Sequence, residues 1–198
     1  MCLNVNDYFA KKAEFYDDVD KQPYWVFSDE LLYHLLQNTV LLDLSKSNFR
    51  FLDAGAGTAR WSKKILDEYA ESSAYLIDVS PQMLDVARKK LNENNLIERA
   101  NIKLLDLQKI EELDENNFDF AICLHNVIGF IDDTLSVMKG LYNKVCAGGK
   151  CAVMFPSFYH AIYFSNSTAR FNQAEETIKK RKVRYNDLMP ELKVFYLE

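Results

Sequence analysis

The sequence has few of the residues that build disulfide frameworks and metal sites. Among 198 residues there are four cysteines and three histidines. No two cysteines form a Cys-x-x-Cys pair, and two of them lie inside apolar runs, so we expect buried, reduced thiols as in a cytoplasmic protein. The histidines are scattered without metal-site spacing, so we predict no bound metal. These residues are Cys2, Cys123, Cys146, Cys151, His34, His125 and His160.

Long apolar runs and an excess of positive charge are also missing. No apolar run is long enough to span a membrane, and no signal peptide is evident, so we expect a cytoplasmic chain without a membrane partner. The net charge is -5 and the pI about 5.3, which argues against a surface built for nucleic acid. The length and the 48% hydrophobic content suffice for one domain with a sizeable core.

Glycine is scarce, with six residues in the chain, and two of them lie in the stretch around which the predicted fold is arranged. Residues 51–60 read FLDAGAGTAR, which predicts a buried strand, a glycine turn and the start of a helix. Gly55 and Gly57 can adopt positive φ and let a ligand approach the backbone. The helix that follows points free N–H groups and a partial positive charge at that ligand. The sequence therefore predicts a ligand site at this turn.

Two nucleotide-type patterns compete for this stretch. A dinucleotide fingerprint requires a third glycine where Arg60 stands, so a nicotinamide-dependent oxidoreductase is the weaker interpretation. The spacing Asp53-x-Gly55-x-Gly57-x-Ala59 resembles the first motif of the class I S-adenosylmethionine-dependent methyltransferases, in which an acid is followed by alternating glycines. Ala59 takes the place of the usual third glycine, and this small side chain should not close the site.

The pattern after the motif supports this resemblance over residues 49–156. Predicted strands at 74–77, 100–105, 118–124 and 150–155 alternate with helices, which indicates a right-handed parallel sheet. The resemblance implies a Rossmann-like, doubly wound, mostly parallel α/β fold with helices on both faces. Its final antiparallel hairpin is expected to be incomplete or missing. We expect one domain with a helical cap (1–48), an S-adenosylmethionine-binding core (49–156) and a substrate-side segment (157–198).

Acids at the ends of two strands extend the predicted cofactor site. Asp78 ends the second strand about 20 residues after the glycine turn, where a carboxylate can accept hydrogen bonds from both ribose hydroxyls. The resemblance implies that Asp53 lies near the methionine ammonium and Asp106 at the adenine amine, although Asp106 could instead cap a turn or helix. The cofactor residues implied in total are Tyr16, Asp53, Gly55, Gly57, Thr58, Asp78, Val79, Asp106, Leu107 and His125.

Candidate catalytic residues follow the fourth and fifth strands. Residues 125–130 should face the sulfonium, but they lack the Asn/Asp-Pro-Pro-Tyr/Phe motif of nitrogen methyltransferases and the Pro-Cys nucleophile of pyrimidine methyltransferases. His125 and Asn126 are the polar pair in this loop, and His125 could be a general base or a structural histidine. Tyr159 and His160 could border the acceptor pocket or pack against the sheet.

The two ends of the chain carry further expectations. Tyr16 lies in an aromatic segment that could form a lid over the cofactor or pack in the core. Pro23 is expected to break this segment, and a helix is predicted from Ser28 to about residue 44. Residues 169–182 predict a helix whose basic end is either solvated or a nucleic-acid patch. The fifth strand is expected to be an exposed edge, which suggests a homodimer.

These features predict an S-adenosylmethionine-dependent methyltransferase that acts on an unidentified small-molecule acceptor. The methyl group of this cofactor is already activated by positive sulfur, so alignment and desolvation suffice and an obvious catalytic residue is not required. RNA and protein stay open as acceptors. The alternative from another class is a cofactor-binding module without catalysis, acting as a partner subunit or sensor.

Overall fold

A computed structural model of the chain describes residues 4–44 and 48–196, with the backbone alone for Asp43. Cys2 and Leu197, which the sequence predictions include, lie outside the described residues. The helices are α1 Val5–Lys12, α2 Pro23–Gln37, α3 Arg60–Glu68, α4 Pro81–Glu93, α5 Thr134–Lys144, α6 Phe158–Ser167 and α7 Phe171–Lys180. The strands are β1 Arg50–Ala54, β2 Ser73–Asp78, β3 Ala100–Leu104, β4 Phe118–Cys123, β5 Val145–Val153, β6 Lys182–Val183 and β7 Leu192–Lys193.

Five parallel strands form the main sheet in the order β3-β2-β1-β4-β5. The central strand β1 is buried from Phe51 to Ala54, because helices cover both faces of a parallel sheet. Phe51 is fully buried and stacks on Phe120 of β4 with ring centroids 5.0 Å apart. The strand order reverses between β1 and β4, so the loops after these two strands flank the crevice where ligands bind in such sheets. The predicted Rossmann-like α/β fold is confirmed.

Apolar clusters hold helices against each face of this sheet. Helices α2, α3 and α4 cover one face, with Leu36, Ile65 and Leu91 in its core cluster. Helix α5 covers the other face through Val137 and Leu141. A third cluster joins α1 to α6 and the C-terminal strands, so the two ends of the chain meet beside the sheet. Within the described ranges, no helix is long and apolar enough to cross a membrane.

The prediction for the second helix was wrong at both ends. Pro23 does break the preceding segment, which ends at Lys21 before an extended Gln22. It also begins α2, where its missing N–H costs nothing and its fixed φ suits the helix. Ser28 therefore lies inside α2 instead of starting it. The helix ends at Gln37, several residues before the predicted end.

The fifth strand also differs from its prediction. It begins at Val145, directly after α5, so the glycines at 148 and 149 lie within the strand and do not terminate the helix. A register shift on β4 accommodates the extra length, and Gly148 adopts a φ of 81°. Cys123 is buried as predicted, but Cys151 is exposed, because β5 is the edge strand of the main sheet.

The C-terminal residues form a small antiparallel pair apart from the main sheet. Strand β6 pairs with β7 through two residue pairs, and Ser157 forms an isolated parallel bridge with Phe195. Helix α7 is shorter than predicted because Ala169 and Arg181, on either side of it, adopt left-handed conformations. The main sheet thus ends at β5, in agreement with the expected incomplete or missing hairpin.

Candidate active site

The glycine turn after β1 packs on one side and is open on the other. Gly55 has a φ of 80°, and a Cβ atom placed on it would lie 2.6 Å from Cγ2 of Val127 in the loop after β4. Gly57 has a φ of 54°, and a Cβ placed on it would meet no atom within 4 Å. Gly55 therefore lets two loops approach each other, whereas Gly57 leaves open space beside the backbone.

The first turn of α3 continues this open surface. Ala59 stands at the N-cap with a φ of 61° and is fully buried. An alanine in this left-handed conformation bears a strain that glycine would not. Ala59 itself provides no side-chain cap for α3, and the Asp53 carboxylate accepts a hydrogen bond from the backbone N–H of Ser62 in the first turn. The N-terminus of α3, with its partial positive charge, faces the turn.

Asp78 joins the end of β2 to the glycine turn. Its Oδ2 accepts a hydrogen bond from the Gly57 N–H at 2.9 Å, and its Oδ1 accepts one from the Ser80 N–H at 2.8 Å. Burial raises the pKa of this carboxyl, and the backbone N–H groups oppose that rise. The backbone of Val79 also bonds to this carboxylate. With two acceptor positions on each oxygen, the group can still accept a hydrogen bond from a ligand hydroxyl. Val79, the next residue, is exposed.

Asp53 is more deeply buried than the sequence suggests. Its Oδ2 accepts a hydrogen bond from the Ser62 hydroxyl at 2.6 Å, inside the interface between β1 and α3. Burial raises the pKa of Asp53 to about 7. This acid therefore changes charge near neutral pH, and a cation close to it would favour the ionised form.

Asp106 caps the short 3-10 helix Leu107–Glu112 after β3. Its side chain accepts a hydrogen bond from the Gln108 N–H at 2.9 Å, so the capping alternative is present in the structure. Leu107 is buried beside it. One carboxylate oxygen of Asp106 makes this bond, and the adenine role of the residue stays a prediction.

The loop after β4 holds His125 in a fixed orientation. His125 adopts a φ of 58°, and its Nε2 accepts a hydrogen bond from the indole N–H of Trp61 at 2.8 Å. An indole nitrogen only donates, so Nε2 carries no proton and Nδ1 must carry it. Burial lowers the pKa of this histidine. The arrangement favours the structural interpretation of His125, while Asn126 lies half-buried next to it.

Tyr159 and His160 lie in the first turn of α6 and are both exposed. Ser157 caps this helix, with its hydroxyl accepting a hydrogen bond from the His160 N–H. The His160 ring lies 6.2 Å from the Tyr185 ring, between centroids. Neither side chain is packed in the core, and a role at the acceptor pocket stays a prediction for both.

Sequence reasoning missed a cluster of charged residues that connects the N-terminal segment to the glycine turn. Asp17 accepts a hydrogen bond from Thr58 and pairs with Lys90 of α4, in each case at 2.6 Å. Arg60 pairs with Asp20 and with Asp29 of α2. Tyr16 lies within this cluster, and burial raises its pKa to about 12. The acids at 17 and 20 were a usable signal, but the sequence does not indicate which bases they meet.

Comparison with protein families identifies the chain. A model of the methyltransferase domain family matches residues 52–151, half of the chain. The chain belongs to this family. The methyltransferase resemblance is confirmed, and the class I fold with S-adenosyl-L-methionine as its cofactor follows from it.

Two curated relatives carry a more specific name. Malonyl-[acyl-carrier protein] O-methyltransferase 1 of Ilyobacter polytropus is 29% identical over 161 residues, which cover 81% of this chain and 54% of that protein. Malonyl-[acyl-carrier protein] O-methyltransferase of Acetivibrio thermocellus is 29% identical over 172 residues, which cover 82% of this chain and 53% of that protein. The chain spans about half the length of these relatives.

Solved structures share the fold at low identity. The [4+2]-cyclase SpnF has a TM-score of 0.64 at 16% identity, with 77% of this chain and 60% of that chain covered. A protein of Methanococcus maripaludis, provisionally described as an S-adenosyl-L-methionine-dependent methyltransferase, has a TM-score of 0.61 at 18% identity, covering 91% and 84%. PKMT2 of Rickettsia typhi in complex with AdoHcy has a TM-score of 0.52 at 19% identity, covering 67% and 27%.

Proposed function

We propose that this chain transfers the methyl group of S-adenosyl-L-methionine to a small-molecule acceptor. The observation that carries the proposal is the cradle formed by Gly57 and Asp78. Gly57 faces open space that a side chain would fill, and Asp78 is fixed beside it by two backbone N–H groups. A diol and a charged chain fit such a cradle, because it offers carboxylate acceptors next to the N-terminus of a helix.

Each predicted cofactor residue has a proposed role in this cradle. Asp78 accepts hydrogen bonds from the ribose hydroxyls, with Val79 beside it, and Asp106 with the Leu107 N–H meets the adenine. Gly55, Gly57 and Thr58 line the methionine part. Asp53 supplies negative charge near the ammonium group, and Tyr16 closes the site from the N-terminal side, with His125 at the far end.

The chain's own residues need only orient the reactants and exclude water. The cofactor supplies a methyl group bound to positive sulfur, which an acceptor atom attacks in line. Because the indole of Trp61 occupies the Nε2 lone pair of His125, we propose an acceptor that needs no general base. A carboxylate is ionised at neutral pH and meets this condition.

The relatives' name suggests the first acceptor to test. It describes O-methylation of a malonyl group on a carrier protein, and a malonyl group ends in a free carboxylate. We propose a small acyl compound of this kind, free or carrier-linked, as the acceptor class. Asn126, Tyr159 and His160 are the residues we propose to border it.

The function is tested by incubating the chain with S-adenosyl-L-methionine and a malonyl thioester. We expect S-adenosylhomocysteine and the methyl ester to form in equal amounts, both measured by mass spectrometry. Binding of the cofactor without product from malonyl or succinyl thioesters would contradict this acceptor class, whereas an acetyl thioester lacks the free carboxylate and serves as the negative control.

The remaining expectations are part of the same proposal. We propose that residues 1–48 cap the site, that 49–156 bind the cofactor and that 157–198 face the acceptor. We infer a cytoplasmic location from the three free cysteines of the described ranges, since disulfides are rare there. Pairing of two copies through the edge strand β5 stays a prediction. A concentration-independent monomer mass in light scattering would contradict it.

A further inference from the structure

The segment Ala13–Lys21 between α1 and α2 is a nine-residue 3-10 helix. Such helices have poor hydrogen-bond geometry and seldom extend beyond three or four residues. Five of the nine side chains are exposed, including Phe15 and Asp18. The backbone of this segment therefore contributes little to its own position, and its side chains must fix it against the rest of the chain.

Asp17 makes the contacts that connect this segment to the cofactor cradle. Its Oδ1 accepts a hydrogen bond from the Thr58 hydroxyl of the glycine turn at 2.6 Å. Its Oδ2 lies 2.6 Å from Nζ of Lys90 on α4, and Oδ1 lies 4.0 Å from Nε of Arg60. A single carboxylate thus bridges the segment, the turn after β1 and the helix after β2.

Burial makes these contacts stronger than ordinary surface ion pairs. The side chains of Asp17 and Lys90 are 31% and 18% exposed, and the Arg60 side chain is 14% exposed. Screening by solvent and salt is reduced at such positions, and removing one partner leaves the other charge poorly solvated. By contrast, the ion pair of Asp18 is with Lys21 of the same segment, and both side chains are largely exposed.

The neighbour of Asp17 in the sequence is Tyr16, which is turned inward. Its side chain is half-buried, and burial raises the pKa of its hydroxyl to about 12. Its ring lies 6.3 Å from that of Phe9, edge to face. Tyr16 is thus held between Phe9 of α1 and Asp17, the residue that contacts the glycine turn and α4.

We propose that Asp17 is a positioning residue of the cofactor site. By binding Thr58 and Lys90, its carboxylate holds the 3-10 segment against the glycine turn and keeps Tyr16 over the crevice. This inference rests on the proposed function, because it requires the crevice to hold S-adenosyl-L-methionine. In this proposal Asp17 makes no contact with the cofactor and acts through Tyr16.

Matched pairs of variants test the proposal by calorimetric titration with S-adenosylhomocysteine. Asp17→Asn is compared with Asp18→Asn, which removes the same charge from the same segment. We expect the Kd to rise about tenfold or more for Asp17→Asn and to stay within about twofold for Asp18→Asn. Equal Kd values for the two variants would overturn the proposal.

A second pair keeps the test decisive if Asp17→Asn does not fold. Lys90→Met removes the partner of Asp17, whereas Lys89→Met removes an exposed lysine whose nearest acid is Glu93 at 4.0 Å. We expect weaker binding, again about tenfold, for Lys90→Met alone. Wild-type binding by Lys90→Met would overturn the proposal.

A double-mutant cycle separates positioning from a general loss of stability. If Asp17 acts through Tyr16, then Asp17→Asn should change the Kd by less than about twofold in a Tyr16→Ala background. A full additional loss in that background would overturn the proposed route. If the wild-type chain does not bind S-adenosylhomocysteine, the proposed function is wrong, and the positioning role of Asp17 is rejected with it. Binding by wild type with no effect of Asp17 rejects the positioning role alone.

Discussion

Replacing Gly57 by alanine should weaken cofactor binding while costing little stability. A Cβ atom at this position would meet no protein atom within 4 Å, so the added methyl group causes no clash in the free chain. It would, however, occupy the open space that we assign to the methionine part of the cofactor. Gly148 provides a matched control, because it also has a positive φ, 81°, and also has no atom within 4 Å of an added Cβ.

The stability cost can be worked out from the backbone. Alanine in the left-handed region costs about 1–2 kcal/mol, and its smaller unfolded-state entropy returns about 0.4–1 kcal/mol. We expect each variant to lose about 1 kcal/mol of unfolding free energy, or a fall in Tm of about 2–4 °C for a chain of this length. Thermal unfolding followed by circular dichroism measures this loss.

The binding assay then separates the two glycines. We expect Gly148→Ala to bind S-adenosylhomocysteine as the wild type does in calorimetric titration. Gly57→Ala should raise the Kd by about tenfold to a hundredfold, since overpacking costs about 1–3 kcal/mol. Wild-type affinity in folded Gly57→Ala would refute the placement of the cofactor at this turn. Equal weakening in both variants would show that the effect is unfolding and not occlusion.

Three further predictions concern Asp53, Gly55 and Trp61. The pKa of Asp53 is about 7 when folded against an ordinary 3.8, so the folded chain binds a proton that the unfolded chain has released. As the pH rises from about 4 to 7, the free energy of unfolding should therefore fall, by at most about 1.4 kcal/mol per pH unit. Asp53→Asn should reduce this pH dependence in urea titrations, and an unchanged pH dependence in the variant would contradict the prediction. Gly55→Ala places Cβ 2.6 Å from Val127 at positive φ and should cost about 3 kcal/mol or more in the same titrations, with a cost below 1 kcal/mol contradicting the close packing. The hydrogen bond from Trp61 to Nε2 of His125 favours the neutral imidazole. Trp61→Phe removes this bond, so the pKa of His125 should rise in an NMR titration. An unchanged pKa would argue against the bond.

Local signals explain why most of the fold could be predicted. Ser80 caps α4 by accepting a hydrogen bond from the Met83 N–H, with Pro81 in the first turn, and Asp133 caps α5 in the same way. Caps, helical stripes and apolar strands are encoded within a few residues of each other. They therefore indicated the order of elements, the parallel sheet and the position of Asp78 at the end of β2.

Features that depend on distant partners could not be predicted. The contacts of Asp17 and Arg60 join residues 31 to 73 positions apart. Pro23 was interpreted only as a break because proline both ends and begins helices, and only the path of the chain shows that it does both here. Similarly, the burial of Asp53 follows from its contact with Ser62 on α3, which its motif does not reveal.

The central claim is that the cradle of Gly57 and Asp78 holds S-adenosyl-L-methionine. Calorimetric titration with this cofactor and with S-adenosylhomocysteine tests it most directly, on wild type, Asp78→Asn and the control Asp85→Asn, which changes an exposed acid on α4. We predict binding of both compounds by wild type and by the control, and a Kd at least about tenfold higher for Asp78→Asn, since a hydrogen bond to a charged group contributes about 1.5–3 kcal/mol. Equal affinity in all three proteins, or no binding by wild type, would contradict the account.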